Sequence, residues 1–156
     1  MRTVAYSIRR IARHEFQANN EDRGLASESG SRNLVYVKRI LLADDSALVR
    51  RTLRRLFEDS GWSVCGEASN GQEVITKAQE LRPDIVVLDL SMPLMNGLTA
   101  ARILKETIPE TYLVLFTAFG TLLTTDELKR AGFSASISKG DAGKLVNTAQ
   151  TLLKAA

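Results

Sequence analysis

The segment Asp84-Ile-Val-Val-Leu-Asp89 is the most apolar stretch of the chain, and it runs straight into Leu90-Ser-Met-Pro-Leu-Met-Asn-Gly97. A short unbroken apolar run, rich in β-branched residues, predicts a strand buried on both faces, as in a parallel sheet. A carboxylate just past such a strand lies at the carboxyl edge, where open α/β sheets bind ligands. Pro93 and Gly97 then turn the chain away and leave Asp89 in a loop. Upstream, a second apolar strand, Arg39-Ile-Leu-Leu-Ala43, delivers Asp44 and Asp45 at its own end. Three acids at neighbouring strand ends predict a cation site.

From Tyr36 onward strand and helix patterns alternate five times. The first strand, about 38–43, precedes Ser46, a good N-cap, and a helix to about Asp59. Leu48, Val49, Leu53, Leu56 and Phe57 recur at helical spacing, while Arg50, Arg51, Arg54 and Arg55 fill a solvated face. Gly61 ends this helix. A second strand, about 62–67, turns at Asn70-Gly71 into a helix over about 71–81. After the central strand come a helix over about 97–106, a strand over Thr111–Phe116 and a weaker helix over about 121–130. A short fifth strand, about 133–137, is followed by Lys139 and a last helix capped by Asp141. Short strands joined by helical crossovers predict a parallel sheet covered on both faces, an α/β architecture.

Residues 1–33 behave differently. They carry six arginines against four acids, and Asn19-Asn20, Gly24 and the Ser27–Ser31 cluster break any apolar periodicity. Such composition predicts a flexible basic extension over residues 1–36, with the globular domain spanning 37–156. Ile8, Ile11 and Ala12 give one amphipathic turn at most. The globular pattern begins so abruptly at Val37 that Val37 is a candidate translation start.

Bulk numbers mainly exclude. A net charge of +3 is too mild to argue for nucleic acid. The single cysteine, Cys65, excludes an intrachain disulfide and any multi-cysteine metal site, and its strand position predicts a small buried thiol. The only histidine, His14, lies in the extension, so no histidine cluster forms. No apolar run approaches the roughly 18 residues of a membrane span, and no signal core is present, which makes the cytoplasm the expected compartment.

Four of the five strand ends carry polar groups: Asp44 with Asp45, Asp89, Thr117 and Lys139. In this order, and within ILLADDS (40–46), DIVVLDLSMPLMNG (84–97), LVLFTA (113–118) and SISK (136–139), they resemble the receiver domain of bacterial two-component response regulators. The resemblance covers about residues 38–154 and implies the flavodoxin-like receiver fold, a doubly wound five-stranded sheet in order 2-1-3-4-5. It implies that Asp89 is the phosphoacceptor, taking a phosphoryl group from a histidine kinase or a histidine phosphotransfer protein. It also implies Mg²⁺ held by Asp45 and Asp89, by Asp44 through water and by the Ser91 backbone carbonyl. Lys139 would neutralise the phosphoryl oxygens, and Thr117 would sense them. The chain would then be no enzyme beyond its own Mg²⁺-dependent phosphotransfer and autodephosphorylation, and would signal by protein contact to a downstream target. No nucleic acid or membrane partner is implied.

Three positions depart from the family pattern. Ser136 stands where an aromatic often precedes the lysine, Gly140 where a proline often follows it, and Phe119 two residues past Thr117 where a polar group is common. The phosphorylation chemistry survives these changes, whereas the usual threonine–aromatic switch does not transfer; Phe119 or Phe133 would have to substitute. Rival readings are weaker. An Asp-nucleophile phosphohydrolase typically carries a second Asp two residues on, where this chain has Ser91. A nucleotide or flavin module needs a glycine-rich phosphate cradle, and Asp44-Asp45 would repel phosphate. A never-phosphorylated receiver-like interaction module and a truncated DNA-binding regulator complete the alternatives.

Overall fold

The structure, a computed structural model, describes residues 36–118 and 123–155. Expectations that fall on residues 1–35, including His14, and on Phe119 lie outside the described residues. The elements in order are β1 (Arg39–Ala43), α1 (Ala47–Asp59), β2 (Ser63–Ala68), α2 (Gly71–Leu81), β3 (Ile85–Leu88), α3 (Gly97–Thr107), β4 (Tyr112–Thr117), α4 (Thr125–Ala131), β5 (Phe133–Ser138) and α5 (Leu145–Lys154). All five strands are parallel and lie in the order β2-β1-β3-β4-β5. This is the doubly wound α/β sheet that the sequence predicts.

Side chains of successive strand residues point to opposite faces, and the core divides accordingly. Leu41, Ala43, Val86, Leu88, Leu113 and Leu115 face one layer, with Val74, Ala78, Ala101, Leu104 and Leu128 packed against them from α2, α3 and α4. Ile40, Leu42, Ile85, Val87, Val114 and Phe116 face the other, covered by Leu53 and Phe57 of α1 and Leu145 and Ala149 of α5. All four β3 residues are buried, which is why that strand lacks polar alternation. Each such Leu, Ile or Val contributes about 1.5–3 kcal/mol of burial.

Local chemistry sets where each helix begins. The side chains of Ser46, Asn70 and Asn96 accept from the backbone N–H three residues on and so satisfy a first-turn donor. Thr124 and Glu127 form a reciprocal capping box, so α4 begins after Thr124 and not at about 121. Gly61 has φ +79 just past α1, the left-handed turn that ends the helix as the sequence predicts.

Two helix assignments need correction. Leu48 is 70% exposed, outside the buried stripe of α1. It lies in the first turn, so helical spacing alone misplaced it. Asp141 does not cap α5. The chain after β5 makes a 3-10 turn over Lys139–Lys144, the Ser138 hydroxyl accepts from the Gly140 N–H, and Asp141 itself has non-helical dihedrals. Its carboxylate instead meets Lys144 at 3.2 Å on the surface.

Candidate functional site

β1 and β3 pair in register, with Ala43 opposite Leu88, so Asp44 and Asp89 leave adjacent strands side by side. Backbone bonds extend that pairing past the strand ends: Asp89 N–H donates to Ala43 O at 2.9 Å and Asp44 N–H to Ala68 O at 3.1 Å. Carboxylate oxygens of Asp44, Asp45 and Asp89 all lie within 4.8 Å of one another. Asp44 and Asp89 are 1% and 4% exposed, while Asp45 forms the open rim. At an effective dielectric of about 20, two ionised carboxylates at that spacing repel by about 3 kcal/mol. Something must oppose this.

Lys139, the first residue past β5, reaches into the cluster. Its ammonium lies 3.2 Å from Asp89 Oδ2 and 2.5 Å from Asp44 Oδ2. Burial lifts the Asp89 carboxyl above its ordinary pKa; Lys139 opposes that shift and the Asp44 charge adds to it. Burial works against the Lys139 charge too, but Asp44 and Asp89 outweigh it and hold the ammonium above the usual lysine value. Three carboxylates against one ammonium leave the site short of two positive charges.

The loop after Asp89 is fixed by close backbone approach. Gly97 N–H donates to Leu90 O at 2.9 Å, and a Cβ on Gly97 would sit 1.9 Å from Asp89 O. Only glycine fits there. Gly71 N–H meets Met95 O at 3.1 Å, and a Cβ on Gly71 would fall 2.3 Å from the same oxygen. The Asp89 loop is therefore closed onto its own start at Gly97 and pressed against the start of α2 at Met95. Within this loop Leu94 takes φ +64, an unusual conformation for a branched residue, with its side chain 88% exposed.

Among the other expected site residues, Thr117 ends β4, is 7% exposed and lies opposite Ser138 of β5. Ser91 is exposed two residues past Asp89. Ser136 is exposed on the edge strand β5. Phe133 begins β5 opposite Leu113 and is buried in the core, at the far end of that strand from Lys139. A ring so placed packs in the core, away from the position of the missing aromatic.

Sequence reading missed the groups behind the acidic loop. Arg50 Nη1 donates to the carbonyls of Asp44 at 2.7 Å and Asp45 at 3.3 Å, while its Nε meets Glu67 Oε2 at 3.0 Å. Arg54 holds the other Glu67 oxygen at 2.7 Å. Burial alone would lift the Glu67 pKa, but Arg54 and Arg50 overcome it and hold the carboxyl below its ordinary value. Half of the expected solvated face is thus bound to the scaffold; Arg51 and Arg55 are exposed. One signal was available, because Glu67 lies near the end of β2, the strand beside β1, while Arg50 and Arg54 sit four apart on α1, the helix that leads into it. Cys65 is only half-buried, its thiol within 3.3 Å of Ile40 O, and burial raises its pKa.

The donor set suits a small hard cation. Mg²⁺ takes oxygen ligands, usually one or two carboxylates completed by water or phosphate. Here the ligand atoms are clustered carboxylate oxygens, and a divalent ion matches the charge deficit. Asp44 Oδ2 is buried and meets the Lys139 ammonium, which Asp89 Oδ2 shares, so one cation serves two of the three carboxylates.

Comparison with known proteins agrees with this geometry. The response regulator receiver domain model matches residues 40–150. The chemotaxis protein CheY of Thermotoga maritima is 37% identical over 102 residues, 65% of this chain and 85% of that protein. A protein-glutamate methylesterase/protein-glutamine glutaminase of Hahella chejuensis is also 37% identical, over 60% of this chain, but only 27% of that protein is spanned. Among solved structures, a LuxR-family two-component response regulator from Aurantimonas sp. SI85-9A1 superposes with a TM-score of 0.72 at 31% identity, over 77% of this chain and 87% of that one.

Proposed function

Because this chain belongs to the response regulator receiver domain family of two-component systems, we propose that it is a phosphorylation-controlled signalling module with Asp89 as phosphoacceptor. The observation that carries this reading is the buried Asp89 carboxylate, gathered with Asp44 and Asp45 and contacted by the Lys139 ammonium. An Asp89 carboxylate oxygen attacks the phosphorus of a phosphohistidine on a sensor kinase or phosphotransfer protein. The P–N bond breaks, the imidazole leaves with its electron pair and takes up a proton, and Asp89 becomes an acyl phosphate. No general base is required, because the attacking carboxylate is ionised. The task is positioning and charge neutralisation.

Asp45 and Asp89 would hold Mg²⁺ directly, with Asp44 acting through water and the Ser91 carbonyl completing the set. When bound, that ion supplies positive charge to the phosphoryl oxygens. Lys139 neutralises a second oxygen, and the Thr117 hydroxyl donates to a third. That last bond is the trigger: it draws the end of β4 inward and changes the surface formed by α4, β5 and α5, which a downstream protein recognises. Residues 1–36 form an extension dispensable for this chemistry, and the compartment is the cytoplasm. No helix among the described residues is long and apolar enough to cross a membrane.

Incubation with acetyl phosphate, with Mg²⁺ or with chelator, tests the reading by intact mass. A phosphate adduct that appears only with Mg²⁺ is expected. A protein left unmodified in both arms would favour a receiver-like interaction module instead.

A further inference from the structure

The acidic loop has a clamp behind it. Three carboxylates gathered within 4.8 Å repel one another, and a loop left to itself would relax by turning Asp45, the exposed member, away. Its backbone is held on the opposite side. One Arg50 nitrogen donates to the carbonyls of both Asp44 and Asp45, and these two carbonyls fix the peptide planes from which the carboxylates project. Asp44 is tied at a further point, where its Oδ1 accepts the Ser46 N–H at 2.9 Å. Arg50 is itself anchored: Glu67 takes its Nε, Arg54 takes the other Glu67 oxygen, and the Lys77 ammonium binds the Glu67 carbonyl.

We propose that Arg50 is a positioning residue for the metal site, acting through the Asp44 and Asp45 carbonyls and anchored by Glu67. The inference rests on the Mg²⁺ reading above and deepens it. Arg50 touches neither the cation nor the phosphoryl group. It keeps the ligands gathered in the metal-free protein, so that binding need not include the cost of assembling them.

The sign of the effect separates positioning from charge. Arg50 is a cation beside a cation site, so removing its charge, taken alone, tightens Mg²⁺ binding. Loss of a clamp weakens it, and loss of an outer partner of this kind typically changes metal affinity by 10–100-fold. Mg²⁺ affinity is read by titration calorimetry on wild type, Arg50→Gln, Arg50→Lys, Arg55→Gln and Asp45→Ala, with circular dichroism confirming the fold of each. Arg50→Gln is expected to bind about tenfold more weakly. The exposed Arg55→Gln makes the same charge change and is expected to bind as wild type or slightly tighter.

Arg50→Lys keeps the charge but replaces the fork by a point donor that does not hold Glu67 as well. Its affinity should fall between wild type and Arg50→Gln. A folded Arg50→Gln with unchanged or tighter Mg²⁺ binding overturns the proposal. Should Arg50→Gln fail to fold, Arg50→Lys carries the test, because wild-type affinity in that variant overturns it equally. Wild type that binds no Mg²⁺, or Asp45→Ala that binds it undiminished, instead overturns the metal reading beneath.

Discussion

The two halves of the carboxyl edge are built to different standards. At the ends of β1 and β3 the loops are held by specific polar contacts: Asp44 on Ser46 and Lys139, Asp89 on Lys139, the loop carbonyls on Arg50, and Gly97 closed onto Leu90. Across the sheet, β5 is an edge strand in which Phe133 and Ile137 are the buried residues and Ser134, Ser136 and Ser138 are exposed. No aromatic ring stands at Ser136 to be moved. On the proposed function, the half that would do the chemistry is held ready before any ligand arrives, whereas the half that would respond is lightly packed. Reaction gains from preorganised charge, while a signal needs a segment whose rearrangement costs little.

The largest effect should come from removing a member of the chemical half. Asp45→Ala takes away an exposed rim carboxylate that makes no core contact, so the fold should persist while the acetyl phosphate reaction slows by about a hundredfold and loses its Mg²⁺ dependence. A rate within threefold of wild type would break the contrast, since the acidic side would then be less specified than its geometry implies.

Backbone closure should be the next most costly thing to disturb. Gly97→Ala places a Cβ 1.9 Å from Asp89 O and should destabilise by about 3 kcal/mol in urea unfolding. Gly143→Ala, where a Cβ meets nothing within 4 Å, should stay within about 0.5 kcal/mol. Equal losses at the two glycines would contradict the difference between a closed and an open region.

Electrostatic tension sharpens the same comparison. The folded Asp89 carboxyl has a raised pKa, so folding favours its protonated form. Such a group contributes stability below its unfolded pKa of about 3.9 and loses it as pH rises through the folded value. Metal-free Asp89→Asn should therefore melt a few degrees higher than wild type at neutral pH, by about 4 °C. That advantage should vanish below about pH 4, and saturating Mg²⁺ should erase it at neutral pH by stabilising wild type alone. A variant that melts lower than metal-free wild type at neutral pH would mean that the Lys139 pair outweighs the burial.

Much of this was legible from sequence, for particular reasons. The Asp84–Asp89 run reveals β3 because its residues are buried on both faces, and a strand with that property has few places to sit in a sheet. Strand order then brings the acids together without knowledge of any side-chain contact. What escaped depends on pairing between segments distant in sequence. Glu67 looks like a surface acid until Arg50 and Arg54 of α1 are laid across it. Leu48 keeps helical phase but lies exposed in the first turn of α1, and phase alone does not report that. Asp141 is a good capping residue that lost its place because Ser138 caps the turn three residues earlier.

The smallest effect belongs to the responding half. With no ring at Ser136 and Phe133 buried in the core, the Thr117 hydroxyl would, on the proposed function, be the link between phosphate and surface. Hydrogen exchange with and without beryllofluoride and Mg²⁺ should show modest protection changes over 123–138 in wild type and smaller ones in Thr117→Ala. Large changes that persist in Thr117→Ala would show that another element carries the signal.

The central claim is that Asp89 alone accepts the phosphoryl group, and site-resolved phosphorylation tests it most directly. Wild type and Asp89→Asn are incubated with acetyl phosphate and Mg²⁺, and intact mass is read before the acyl phosphate hydrolyses. The account predicts one phosphate adduct on wild type and none on a folded Asp89→Asn. An undiminished adduct on Asp89→Asn would contradict it.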